Sequence, residues 1–466
     1  MFGAATLAGG TVSTIFASGG SLTKQYTILT AGSINGTFDP TVVNTNATNF
    51  SETLSYDATH VFLNLALNFA GAGGLNGNQQ AVANAITNFF NATGSVPMVF
   101  AGLTASGLTQ ASGETAVGAQ QTTFNAMSLF MGVMTDPFLD RTGGMSTSQP
   151  ASGYADEALG YGSSGKKTDA FAMFTKAPQA PSFEQRWNAW TAGFGGSQST
   201  SGNAVVGSNN TNSNIGATAV GADYLFSPNT LLGFAFAGGG TSFNVANGGF
   251  GRSDLFQIGA HVRHIQGPAY VSAALAYGWQ DITTNRTVTA AGLDQLRAEF
   301  NANAWSGRVE GGYRFVSPAT VGIGITPYAA AQFVTFDLPG YAEQAISGAS
   351  NFALAYSAKD VTDVRGEIGL HTDKTFVMPN GILTLRSRFA WAHDFGTDRN
   401  IVATFQSLPG SSFVVNGAAQ AADSALTTAS IEMKWKNGWS AAAAFEGEFS
   451  NVTNSYAGRG VVRYQW

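Results

Sequence analysis

From Trp187 onward the sequence is a succession of strand-length stretches in which apolar and polar residues alternate, and that period of two limits what the chain can become. Twelve stretches are expected, at 187–196, 215–226, 230–240, 254–265, 269–283, 299–315, 321–337, 354–373, 381–395, 424–436, 439–450 and 455–466. Their connections are sorted by length. Tight turns SPNT, QGP, SPAT, MPNG and KNG alternate with longer loops around 197–214, 241–253, 284–298, 338–353 and 396–423, and NVTN in the last hairpin is the short exception. An even number of antiparallel strands, short-turned at one end and long-looped at the other, is the pattern of a barrel that crosses a bacterial outer membrane. A soluble sandwich has no cause to sort its loops in this way.

Composition agrees with that reading. Charged residues are 11% of the chain, whereas a soluble domain carries about 25%. A helical membrane protein would show apolar runs of about 20 residues, and none occurs. Composition by itself also fits a secreted β-solenoid. With no cysteine, disulfides, thiol nucleophiles and thiolate metal sites are excluded. A net charge of −6 provides no basic footprint for nucleic acid. The opening MFGAATLAGGTVSTIFASGG has no Lys or Arg near Met1 and is broken by glycine, so it does not read as a signal peptide. A membrane reading therefore implies a fragment of a longer precursor.

The strand faces divide by polarity. Trp305, Val309, Tyr313 and Phe315 alternate with Arg308, Glu310 and Arg314; Val364, Ile368 and Leu370 alternate with Arg365 and Glu367. Leu385, Phe389 and Trp391 oppose Arg386 and Arg388, and Trp439, Phe445 and Phe449 oppose Glu446 and Glu448. An Arg or Lys on a lipid-facing position at the bilayer midplane costs roughly 2–4 kcal/mol, so the charged face is expected to line the lumen. Its mixed signs suit a hydrated conduit that polypeptide crosses or plugs; a single-sign ring would suit an ion-selective pore. Aromatics at strand ends (Phe226, Phe315, Trp435, Trp439, Tyr464 and Trp466 by the short turns; Trp279, Trp391 and Phe449 by the loops) form two belts of the kind found at membrane interfaces.

Upstream the pattern differs. Residues 1–77 are short alternating segments with turns at Gly32 and Gly36, fitting the last rungs of a parallel β-helix. Within 78–184 the period becomes helical: Val82, Ile86 and Phe89/Phe90 share one face, as do Val117, Phe124, Met127 and Met131. The Met and Phe stripe reads as packing, not as a cofactor box. Asp136-Pro137 ends the second helix, and a Gly, Ser and Pro-rich linker follows. The barrel proper is assigned to 185–466.

No catalytic constellation is present, so the chain is not expected to be an enzyme and no cofactor or metal is expected. His261 and His264, three apart in a strand, point to opposite faces. No phosphate loop, nucleophile elbow or His-Glu-x-x-His motif occurs. Ser112-Gly113-Glu114 reads as a helix N-cap with an acid in the first turn.

RWNAWTAGFGG, SPNTLLGFAFAGGGTSF, FDLPGYAEQAISGASNFALAYSAKDVTDVRGEIG and GRGVVRYQW, in that order, resemble the barrel of autotransporters of Gram-negative bacteria, the type V secretion pathway. YTILTAGSINGTF and LSYDATHVFLNL resemble the end of a β-helical passenger, and ASGETAVGAQQTTF the segment after it. The resemblance implies a twelve-stranded antiparallel transmembrane β-barrel in the outer membrane, inserted by the β-barrel assembly machinery, through which the chain's own passenger reaches the cell surface. It also implies a linker helix in the lumen, for which 155–184 is the expected plug. The paired-Asn junction at which some members cleave themselves is not seen. Outer-membrane lipids, the assembly machinery and the passenger are the expected partners. A stand-alone barrel acting as adhesin or porin is the alternative.

Val462, Tyr464 and Trp466 share one face of the last strand, where an interfacial indole is favoured, and the resemblance makes them the assembly signal. Replacing Trp466 with Asp is expected to lower the heat-modifiable barrel recovered from outer membranes far more than Gln465→Ala does. Equal yields would remove the signal role.

Overall fold

The computed structural model describes residues 3–17, 19–69, 74–135, 186–316 and 322–466. Among them twelve long strands form one antiparallel sheet: β1 (Trp187–Thr200), β2 (Thr211–Ser227), β3 (Thr230–Val245), β4 (Gly249–Gln266), β5 (Ala269–Val288), β6 (Asp294–Tyr313), β7 (Gly324–Leu338), β8 (Lys359–Met378), β9 (Gly381–Asp394), β10 (Asp423–Trp435), β11 (Trp439–Phe449) and β12 (Thr453–Gln465). Each pairs with the next, and β12 pairs back onto β1 from Asn188↔Gln465 to Thr200↔Thr453. The sheet is a closed barrel, so no edge leaves unpaired backbone groups facing hydrocarbon.

The period-two pattern produces this because alternate residues stand on opposite faces. Trp305, Val309, Ile368, Phe389 and Phe445 are half or more exposed on the outside, while Ala235, Ala276, Ala302 and Ala304 are buried inside. A tilted spanning strand needs about 9–11 residues. β5 and β6 have 20 each, so the barrel wall continues past the bilayer at the long-loop end.

Two of the long loops are structured. Strands Tyr341–Ala342, Leu354–Tyr356, Asn400–Phe405 and Ser412–Asn416 make a four-stranded antiparallel sheet over the mouth of the barrel. The single strand expected over 354–373 is therefore two elements. Leu354–Tyr356 joins the loop sheet and β8 begins only at Lys359. The reason is cover: Ile401, Ala403, Phe405, Phe413 and Val415 alternate inward, and that apolar face needs a partner outside the barrel.

The partner comes from the residues before the barrel. Four helices, α1 (Gly77–Thr93), α2 (Met98–Ala101), α3 (Ala105–Ala111) and α4 (Thr115–Thr135), follow an N-terminal β region. α1 starts with a capping box between Asn76 and Gln79 and ends at Gly94, whose φ of 80° a side chain would oppose. Phe100 of α2 stacks edge-on to both Phe352 and Phe405, with centroids 5.1 and 5.0 Å away. The Asn78 carboxamide pairs with the edge of the loop sheet as a strand would: its Nδ2 donates to the Asn416 carbonyl at 2.7 Å, and its Oδ1 accepts from the Asn416 N–H at 2.9 Å. One apolar core thus runs from the N-terminal region through the loop sheet into the lumen.

In the N-terminal region Ala4–Ala8 pairs with Ser33–Thr37 and Val12–Thr14 with Val42–Asn44 in parallel, while Phe50–Tyr56, His60–Leu67 and Gln25–Thr30 make an antiparallel sheet. Ser112 does not cap the long helix. It ends α3, its hydroxyl donating to the Thr109 carbonyl. Gly113, at φ +74°, then turns the chain into α4.

Candidate functional site

Nothing in α4 is charged, and sixteen of its 21 residues are buried. A helix with no charge and this much of its surface buried needs enclosure, and the barrel supplies it. At the loop end the Gln120 side chain donates to the Asn400 carbonyl. Lower down, Thr123 meets Gln280, and Gln257 donates to the Ala126 carbonyl at 3.2 Å. Near its C-terminal end Met134 fills the space above Gly259. The segment 155–184, expected as the plug, lies outside the described residues; the helix seen in the lumen is α4.

The lumen has two unlike walls. α4 packs on β1 to β7 and scarcely touches β8 to β12. The receiving wall offers Ala235, Ala237, Gly259, Ala276 and Gly278, leaving room for methionine and phenylalanine side chains. The other wall, with the adjoining end of β6, carries ions. Between it and the polar edge of α4, where Asn125 and Ser128 lie, is a cavity of about 120 Å³.

Seven of the nine charged residues named from the sequence, Arg308, Glu310, Arg365, Glu367, Arg388, Glu446 and Glu448, line this cavity. Arg308 grips Glu367 through two hydrogen bonds of 2.8 Å and reaches Glu310 at 2.8 Å. Glu310 also accepts from the Tyr270 hydroxyl at 2.7 Å. Arg388 pairs with Glu446 at 2.5 Å, and Arg365 bridges Asp394 and Glu448, each at 2.7 Å. The remaining two, Arg386 and Arg314, pair with Glu432 and Asp373. Planar guanidinium groups suit these forked contacts. Val462, Tyr464 and Trp466 are exposed on the outer surface.

The mouth is held by a second ionic centre. Arg286, buried at the loop end of β5, donates to both oxygens of Glu343 and to the carbonyls of Phe352 and Gln110. Tyr356 joins it, donating to Glu343 at 3.0 Å. Barrel wall, loop sheet and the segment leading to α4 therefore meet at one guanidinium. Beside it, Glu114 accepts from the backbone N–H and side chain of Asn209 at 2.7 and 2.5 Å, and burial pushes its pKa up to about 7.

Sequence reasoning placed Asp394 on the charged face with Arg386 and Arg388 but missed Arg286, Glu343 and Glu432, because residues read as loop and isolated acids carry no periodic signal. It read Met127 and Met131 as packing without saying against what; the signal available was the helix's lack of any charged face. Among the described residues no group of His, Asp and Glu could hold a metal ion.

The fold and lumen define a closed transmembrane β-barrel with a helix inside it. The model of the autotransporter beta-domain matches residues 189–446, more than half of the chain, and the chain belongs to that family, whose barrels reside in the bacterial outer membrane. Among solved structures it is similar to the translocator domain of the autotransporter NalP from Neisseria meningitidis, with 14% identity over 60% of this chain and 88% of that one at a TM-score of 0.48. It is also similar to the beta domain of the Bordetella autotransporter BrkA, with 16% identity over 60% of this chain and 100% of that one at 0.47. The transport unit of AIDA-I from Escherichia coli is 11% identical over 64% of this chain and 94% of that one, at 0.40. Comparison with curated proteins finds no match.

Two predictions follow from the charged groups. Removing one partner of a buried ion pair costs about 3–5 kcal/mol, whereas a partly exposed pair is worth about 0–1 kcal/mol. Arg308→Ala, which takes their nearest cation from buried Glu310 and Glu367, should lower the unfolding midpoint of the refolded barrel clearly more than Arg314→Ala, whose pair with Asp373 is partly exposed. For Glu114, the folded value of about 7 lies above the ordinary 4.5. Between these values the folded chain keeps a proton that the unfolded chain has released, so this group's contribution to stability falls as pH rises from 4.5 to about 7. Glu114→Gln should remove that part of the slope, read as unfolding midpoints of both proteins across the same window.

Proposed function

We propose that this barrel anchors the chain in the outer membrane and exports its N-terminal passenger to the cell surface. The observation that carries the reading is the path of the chain. The N-terminal region and α1 to α3 sit at the long-loop end, α4 descends through the lumen, and β1 begins at Trp187 beside Trp466 at the short-turn end. A chain arranged in this way has its N-terminal side on one face of the membrane and the start of its barrel on the other, with α4 in the pore.

Residues 1–77 are then the end of the exported passenger, supported by the parallel pairing of Ala4–Ala8 with Ser33–Thr37, and 78–184 the linker, whose described part, α1 to α4, lies in and above the pore. The mixed-sign wall supports transit of polypeptide: Arg308, Arg365, Arg386 and Arg388 are each paired with an acid, so along these groups a passing chain meets no field of one sign. The assembly machinery is the partner for insertion, with Val462, Tyr464 and Trp466 on its recognition face. The lipids are the partner for the exposed aromatics. The helix in the lumen counts against an open porin.

An epitope fused ahead of Met1 should be reached by antibody and by added protease on intact cells, and deleting 115–135 should raise the conductance of the reconstituted barrel. An epitope that stays protected on intact cells, with the barrel folded, would overturn export.

A further inference from the structure

One glycine in the lumen helix is unexplained by helix formation. Gly118 is inside α4, where alanine is the better helix former. A Cβ on Gly118 would lie 2.4 and 2.6 Å from Cδ2 and Cε2 of Phe243 on β3. The same ring also fills the space above Gly251 on β4, where a Cβ would be 2.2 Å from Cζ. Phe243 is thus a knob, buried and held between a glycine of the wall and a glycine of the helix. One residue earlier Val117 occupies the space over Gly417 of the loop after the sheet strand Ser412–Asn416, where a Cβ would come within 2.4 Å of its Cγ1.

These contacts differ from those deeper in the pore. Met127 and Met134 meet Gly278 and Gly259 through the far ends of their side chains, and unbranched thioether ends adapt to a shift. An aromatic ring and a β-branched side chain do not. Sliding the helix by one residue moves it about 1.5 Å and turns it about 100°, which brings Val117 or Ala119 to the ring. A full turn brings Glu114, Gln121 or Thr122. All carry the Cβ that the ring excludes. The other glycine of α4 is Gly132, fourteen residues on, about 21 Å along the axis.

We propose that Phe243, clasped by Gly118 and Gly251, is a register stop: it fixes how deep the threaded segment rests in the lumen, and so which residues remain outside when export ends. This rests on the export reading above. Phe243 and Gly118 are positioning residues, acting on the place of the chain and not on its passage.

The chain has no cysteine, so register can be read by thiol cross-linking. Gln332 on β7 donates to the Ser128 hydroxyl at 2.9 Å. With a cysteine at 332 and a second one scanned through 121, 125, 128 and 132 in the full chain, the yield of a short cross-linker should peak at 128. Gly118→Ala should move or flatten that peak and lower the Tm, although on helix propensity alone it would raise the Tm. Gly118→Ala combined with Phe243→Leu should restore the peak at 128. Gly417→Ala, pressing on Val117 from the mouth, should disturb the peak as Gly118→Ala does, with barrel folding followed separately by heat-modifiability. A peak unmoved by Gly118→Ala, or one that Phe243→Leu does not restore, overturns the stop. Epitope exposure in the same cells reports export independently. A protected epitope in the parent chain removes export, while the cross-linking pattern of the refolded protein still decides the register.

Discussion

Hydrocarbon offers no hydrogen bonds, and the rest of the structure depends on that constraint. Every N–H and C=O of a spanning strand must find a partner in another strand, so the pairing of β12 with β1 along thirteen residue pairs is what allows the other eleven strands to stay in the membrane. Closure creates a lumen with no hydrophobic filling of its own. The strands then have to present inward either small residues, or polar groups that satisfy one another.

This barrel does both, on opposite walls. On β3 to β5, away from Phe243 and Arg286 at the mouth, α4 rests on small residues such as Ala235, Ala237, Gly259, Ala276 and Gly278, which leave room for its side chains. On β8 to β12 and the end of β6 the inward residues include paired Arg, Asp and Glu, as in the triad of Arg308, Glu310 and Glu367. The division explains why α4 lies off the axis. Its methionine and phenylalanine side chains gain contacts on the small-residue wall, and its Asn125 and Ser128 edge tolerates the ions across the cavity. At the mouth the same logic applies in one cluster, where Arg286 satisfies Glu343 and two carbonyls from separate segments. Losing any of those segments would leave a buried charge short of partners, so the loop sheet, the lead-in to α4 and the barrel wall are energetically one unit.

What could be read in the sequence was whatever local periodicity encodes. Alternation along stretches such as AWSGRVEGGYRF shows a strand with one ionic and one apolar face before any neighbour is known, and the alternation of turn and loop lengths shows antiparallel order and an even count. The helical spacing of Val82, Ile86 and Phe90, and of Phe124, Met127 and Met131, announced α1 and α4 for the same reason. Less local features failed. The stretch 354–373 read as one strand because both halves alternate, and only contact with Asn400–Phe405 separates Leu354–Tyr356 from β8. Ser112 read as an N-cap because its neighbours suit one, yet the helix it bounds is the one before it.

By itself, then, the sequence determined the class of fold, the number and faces of the strands and the sidedness of the loops, since these follow from a period of two, from turn lengths and from the cost of a charge in lipid. Tertiary structure decided which acid answers which arginine, which wall receives the helix, and where along α4 the chain comes to rest. Those depend on side chains such as Gly118 and Phe243, 125 positions apart, and Arg308 and Glu367, 59 apart. No residue carries in its own neighbourhood the position of a partner that closure of the barrel brings beside it.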